Sequence, residues 1–339
     1  MKKMRVIIWT VAGGLAVSVF AGSVWDGGGA NTSWGTPENW NDDILPLFDG
    51  TETITFSGLG SGTNLTLDGH RRIRSITLPT TSDISIQSGV PSDSRLEIQG
   101  GRILLTANAR THTFDCPILL LGNVAVTNSG GSGALFRFRG PITDEGAGYG
   151  MSKDGLRHMS LSASNDFRGP FTLIAGLLYV GNDYGLGHGT FIYKGGTLYA
   201  TGNRTITNRV EIETTTFAFG SGGGSGMYFH APGVVTLKTN VQFSLSQATG
   251  SGNELRFMNG IQEDEPGRSM RHSHSRTMWL YGDSTFTGPV ILESGTVRFG
   301  GTLMASSVQQ SGGTIEIAEH NPLGNATLLL SGGRFSTAG

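Results

Sequence analysis

Apolar and polar residues alternate in short runs along almost the whole chain. Examples are Glu52-Thr53-Ile54-Thr55-Phe56, Ile84-Ser85-Ile86, Asn123-Val124-Ala125-Val126, Leu135-Phe136-Arg137-Phe138 and Thr314-Ile315-Glu316-Ile317. A period of two sends successive side chains to opposite faces, which predicts strands with one buried face. Beyond the first twenty or so residues no window keeps a helical period. Pairs such as Gly195-Gly196, Gly312-Gly313 and Gly332-Gly333 separate the runs and permit the positive φ of tight corners. The chain is expected to be all-β.

Self-comparison adds a repeat. Phe138, Ile142, Leu161, Phe167, Gly169, Pro170 and Gly176 recur as Phe257, Ile261, Leu280, Phe286, Gly288, Pro289 and Gly295, each displaced by 119 positions. Upstream, Val124, Val126, Gly131, Ser132 and Gly133 face Phe243, Leu245, Gly250, Ser251 and Gly252 at the same displacement. Past Gly181 the displacement becomes 137, where Leu186-Gly187 returns as Leu323-Gly324 and Gly195-Gly196 as Gly332-Gly333. The second copy has therefore gained 18 residues, including Ser311-Gly312-Gly313-Thr314-Ile315. A solenoid accepts one added coil because each coil touches only its neighbours, whereas an added strand would disrupt the pairing of a closed sandwich.

The expected architecture is a right-handed parallel β-helix, a solenoid, over residues 51–339, with repeats at about 114–202 and 233–339. Phe136, Phe138, Phe167, Phe171, Leu173, Leu178 and Val180 are its interior candidates. Burying one such side chain contributes about 1.5–3 kcal/mol. The repeat breaks off at Gly339, so a continuation is expected.

The beginning of the chain is different. Met1-Lys2-Lys3-Met4-Arg5, the apolar run Val6 to Phe20 and the small residues Ala21 and Gly22 read as a secretory signal peptide over 1–21. The run is short of the roughly 20 residues needed to cross a bilayer, so no membrane span is expected after cleavage. Trp25, Trp34 and Trp40 then fall within residues 22–50, read as a cap on the first coil; an aromatic platform for sugars is the alternative.

Charge narrows the partners. Without Lys2, Lys3 and Arg5 the chain has 21 basic residues against 26 acidic ones, a net charge near −5, so no nucleic-acid partner is expected. Cys116 is the only cysteine, excluding an internal disulfide, and its apolar surroundings suggest a buried, inert thiol.

Leu161-Ser162-Ala163-Ser164-Asn165-Asp166-Phe167-Arg168-Gly169, Gly176-Leu177-Leu178-Tyr179-Val180-Gly181, Leu186-Gly187 and Gly195-Gly196-Thr197-Leu198 form a recognisable pattern. It resembles the autotransporter-associated β-strand repeat, and Leu280 to Gly300 with Leu323-Gly324 and Gly332-Gly333 looks like a second copy. The resemblance implies an exported parallel β-helix passenger. The sequence departs from the pattern at Trp279, where the first copy has Ser160, and contains no barrel-like succession of ten-residue amphipathic strands.

Candidate chemistry is sparse. Glu263-Asp264-Glu265 with Arg268, Arg271, His272, His274 and Arg276 is the densest cluster, and His272-Ser273-His274 could supply two metal ligands. The first copy has the same layout from Asp144-Glu145-Gly146 to Arg157-His158, which favours a solvated loop over a catalytic site. Glycosidases need two carboxyls within roughly 5–9.5 Å, and Asp68, Asp83, Asp93 and Glu97 are the residues to watch for such a pair. Gly220 to Gly226 reads as a flexible corner, and Asn31, Asn64 and Asn325 open Asn-x-Ser/Thr triplets that chance supplies in so Asn- and Thr-rich a chain. The expectation is an exported structural or adhesive passenger at a bacterial surface, a monomer with no cofactor, no metal and no catalytic residue. Its partners would be extracellular glycans or cell-surface components. A carbohydrate-active β-helix enzyme or a glycan-binding module is the alternative.

Overall fold

Most strands pair in parallel not with the next strand of the chain but with one two or three places further along. The computed structural model describes residues 22–57, 63–79, 82–106, 110–221, 226–230, 232–245, 254–318 and 322–337. The expected signal peptide, the matched Gly250, Ser251 and Gly252, and positions 222–225 of the expected flexible corner lie outside the described residues.

The pairing generates three sheets, visited in rotation, and hence a β-solenoid. Face 1 has 11 strands, from Ser23–Trp25 to Ile261–Glu263. Face 2 climbs from Thr63–Leu67 through Leu135–Phe138, His158–Leu161, Leu177–Val180 and Thr197–Ala200 to Thr327–Leu330. Face 3 starts with Arg71–Ile73, Leu96–Ile98, Ile118–Leu120 and Ile142–Thr143, and resumes with Arg204–Ile206, Met227–Phe229 and Glu254–Phe257 before ending at Arg334–Thr337. Met270–Leu280 and Val290–Phe299 each run from face 2 onto face 3 without a break. Among the described residues the helices are short 3-10 turns, and none is long and apolar enough to cross a membrane.

Parallel register explains the core. Residues level with one another on successive turns stack, so alternation within each strand becomes a column between strands. On face 1 the inward column runs Val124, Met151, Phe171, Phe191, Val210, Val235, Ile261. On face 2 it runs Phe136, Met159, Leu178, Leu198, Phe219. All of these are buried, as are the interior candidates Phe138, Phe167, Leu173 and Val180. Corners recur at matching heights. Gly176 and Gly196 have φ of 78° and 80°, and a Cβ at Gly176 would collide with the Gly155 carbonyl of the turn below.

The internal repeat is out of phase with the winding. From Val124 the chain makes five turns on face 1, through Met151, Phe171, Phe191 and Val210 to Val235, before the equivalent residue Phe243 falls on face 2. Thus Phe171 on face 1 corresponds to Val290 on face 2, and Leu161 on face 2 to Leu280 on face 3. The same side chains suit either position because an inward residue meets a similar apolar interior on every face.

The 18 additional residues are one full turn. The second copy passes Leu303, Ser307–Gln310 and Thr314–Ile317 before Leu323, whereas the first goes directly from Leu177–Val180 to Leu186. The added strands slot between neighbours, with Val297 over Ile315 and Ile315 over Phe335.

At the start of the winding Ser23–Trp25 is already a rung, pairing with Ile54, Thr55 and Phe56. Trp25, Trp34 and Trp40 are buried in one aromatic cluster with Phe48 and Phe56, with Trp25 and Trp40 rings edge to face at 5.1 Å. Trp40 Nε1 donates to the Trp34 carbonyl at 2.9 Å.

Candidate binding surface

Three of the four carboxylates singled out in the sequence, Glu97, Asp68 and Asp83, are held by the protein itself. Glu97 accepts from Arg72 Nε at 2.9 Å and Arg95 Nε at 3.0 Å, with His70 3.4 Å away. Burial opposes its charge, but the arginine hydrogen bonds prevail and hold its pKa below the ordinary value. Asp68 is held low in the same way by Arg71 and Ser33. Asp93 lies 4.0 Å from His70, and Asp83 accepts the Thr111 amide at 2.9 Å. A general acid needs the opposite shift, toward a retained proton.

The two mixed-charge loops are built alike. Asp144 accepts the amides of Gly146, Gly148 and Tyr149 at 2.6–3.0 Å, which outweigh burial and lower its pKa. Its counterpart Glu263 accepts the Arg268 amide at 2.8 Å and, from the next turn, the Thr287 amide at 2.9 Å. Asp264 and Glu265 pair with Arg268. Each acid thus fastens a turn of its own loop, and the repeated layout is a repeated piece of backbone support.

The histidine pair separates. His272 points inward, fully buried, with Nε2 on the Arg276 carbonyl at 2.9 Å, and burial lowers its pKa; His274 is only half-buried. Among the described residues no three His, Cys, Asp or Glu side chains gather as a metal site would require. Cys116 is buried and its thiol is pushed up to about 12 by burial. The indoles of Trp25, Trp34 and Trp40 present no open ring to a sugar. Asn31 is taken up locally, accepting from the Ser33 amide and the Thr36 hydroxyl, while Asn64 and Asn325 are exposed. Gly220 is not a free corner: it closes the strand Thr216–Ser221 beneath the Tyr199 ring, which a Cβ at 220 would strike.

Outward columns of aromatic and cationic side chains are the chemistry that remains. On face 2, Tyr179 stacks on Tyr199 at 4.8 Å and His158 lies 5.5 Å from Tyr179. On face 3, Tyr228, Arg256, Trp279 and Arg298 stand on successive turns. Arg256 lies 5.0 Å from the Tyr228 ring and 4.9 Å from Trp279, and Arg298 lies 4.1 Å from Trp279. Cation–π contacts of this kind stabilise by about 0.5–2 kcal/mol. Glu254 pairs with Arg256 and Glu316 with Arg298. Beside this column an open groove of about 680 Å³ is lined by Trp279, Tyr281, Arg298, Glu316, Arg334 and Ser336, among others. Tyr281 stacks on Trp279 at 4.9 Å. In the sequence Trp279 stands out only as a departure from the first copy; a tryptophan where the repeat has Ser160 is the available signal.

No family model and no solved structure matches the chain. It is 23% identical over 316 residues to the adhesin BmaC autotransporter of Brucella suis biovar 1 (strain 1330), a match taking in 88% of this chain. The chain corresponds to 8% of that protein's length.

Proposed function

We propose that this chain is an exported, non-catalytic adhesive scaffold displayed at a bacterial surface. Residues 22–50 close the start of the stack, and the stacked turns form a support for outward side chains. The likeness to an autotransporter adhesin supports the surface role. One structural observation carries it furthest: Glu97 and Asp68 are neutralised by arginines and Asp83 and Asp144 are fixed on backbone amides, while aromatic and cationic side chains line successive turns on the outside.

The test is to display residues 22–339 on a non-adherent bacterium and count attachment to epithelial cells and to glycan-coated surfaces. Attachment above the undisplayed strain is expected, with no release of reducing or unsaturated ends from neutral or acidic polysaccharides. Absence of attachment would sink the adhesive reading, and released ends that disappear on Glu97→Gln would replace it with a carbohydrate-active enzyme.

A further inference from the structure

Tyr179 and Tyr199 stand level with each other on neighbouring turns of face 2, in the middle of the stack. Their rings lie 4.8 Å apart and 19° from parallel, at the spacing of the strands that carry them. Both residues are half-buried, so part of each ring reaches solvent. The column around them is spare. Ser160 is level with Tyr179 on the turn before, and Gly220 with Tyr199 on the turn after. A Cβ at Gly220 would lie 2.5 Å from the Tyr199 ring, so the glycine leaves that ring its place.

The pair is singular. Of the seven tyrosines, these are the two in ring contact with each other among the described residues. Tyr184 lies beside His188, Tyr281 on Trp279, Tyr228 under Arg256, and Tyr193 against Phe191 and Phe217. The second copy has Arg298 and Ser336 at the equivalent positions, so the coil does not need two stacked rings to form.

We propose that Tyr179 and Tyr199 are a cross-linking site, coupled by hydrogen peroxide acting through a haem peroxidase into a dityrosine that ties one turn to the next. Each phenol gives one electron and its proton to the oxidant, and the peroxide is reduced to two waters. The two radicals form one carbon–carbon bond between ring carbons ortho to the hydroxyls. The hydrogens on those carbons move to the oxygens, which restores both phenols, so the chain loses two hydrogens overall. Burial and the neighbouring Tyr199 raise the pKa of Tyr179, so at neutral pH its proton must leave with the electron. Stacking in register makes the joining step intramolecular, which favours it over coupling between molecules. The bond would close a loop between positions 20 apart and restrict the unfolded chain. With Cys116 the only cysteine, and buried, this is a covalent tie that an internal disulfide cannot supply. The proposal goes beyond the adhesive reading and does not depend on it.

The experiment treats the full chain with a haem peroxidase and hydrogen peroxide, then reads dityrosine fluorescence, intact mass and tryptic peptides. Lys194 lies between the two tyrosines, so trypsin separates them unless the bond has formed. A monomer lighter by two hydrogens is expected, with the peptides carrying Tyr179 and Tyr199 joined. Tyr179→Phe and Tyr199→Phe each keep a ring in the stack but lack one phenol, and each should abolish the cross-link. Treated wild type should unfold at a higher urea concentration than untreated, a shift that Tyr199→Phe should not show. Absence of the cross-link, dityrosine mapping to other tyrosines, coupling only between molecules, or full yield from Tyr199→Phe would overturn the proposal. So would an unchanged urea midpoint in the cross-linked monomer, because the turns would then not be tied.

Discussion

Lys153 and His272 occupy the same position of the internal repeat, 119 residues apart, yet Lys153 lies inside face 1 and His272 inside face 2. Both are fully buried and both turn a nitrogen onto the carbonyls of the corner that follows. Lys153 Nζ donates to the carbonyls of Asp154, Gly155 and Ala175 at 2.7–3.0 Å, and burial lowers its pKa to about 8. His272 Nε2 meets the Arg276 carbonyl. The corner bends its carbonyls inward, and a polar head at the end of the preceding strand satisfies them.

Replacing Lys153 by methionine keeps most of the volume and leaves those three carbonyls without this donor. Stability should fall by about 1–3 kcal/mol, the cost of unsatisfied buried polar groups. Urea unfolding measures it, and an unchanged midpoint would show that the ammonium contributes nothing net.

His112 makes the fold sensitive to mild acid. Its ring is buried beside Phe136, neither nitrogen has a hydrogen-bond partner, and burial lowers its pKa to about 4. The unfolded chain takes up this proton near pH 6.5, the folded one only near 4, so the contribution is complete above 6.5 and is lost as pH falls toward 4. The loss approaches about 3 kcal/mol at the bottom of that window. His112→Leu should unfold with a midpoint that changes less between pH 7 and 4.5 than wild type; parallel losses in the two proteins would refute the assignment.

Deleting residues 301–318 removes one full turn and restores a constant displacement of 119. Circular dichroism should still show β structure with cooperative unfolding, and the groove should disappear with Thr314 and Glu316. Deleting only 301–309 should not be tolerated, because it leaves a partial turn that throws the inward residues beyond it out of register with the columns. If both deletions behave alike, the turn is not the unit of insertion.

Gly176→Ala tests the corner stack. At a φ of 78° and against the Gly155 carbonyl, the added methyl should cost about 1–3 kcal/mol or more. Gly146, whose φ is 84° but which has open space around its Cβ position, should lose less on the same change. Equal losses would mean that backbone conformation alone sets the cost.

The columns were legible in the sequence because alternation and the recurrence of Phe138 as Phe257 both follow from burial, which leaves a compositional mark. The added turn was legible for the same reason. The phase of the repeat was not, since an inward phenylalanine looks the same whichever face bears it. The inward polar residues were not legible either: His272-Ser273-His274 offers two ligands at strand spacing, and sequence does not show that the Arg276 carbonyl meets His272 instead. Whether the rings of Trp34 and Trp40 are open or closed was not legible, because it depends on the distant Phe48 and Phe56. Trp279 and Arg298 became a candidate site only once stacking brought together residues 19 positions apart.

The one-face offset between the copies governs how a filament of this kind can diversify. A duplicated segment carries its outward side chains around the axis as well as along it, so a third copy at the same spacing would occupy the remaining side. Lengthening by duplication would therefore lay successive variants of one surface along a spiral, and a partner approaching from any direction would meet some member of the series.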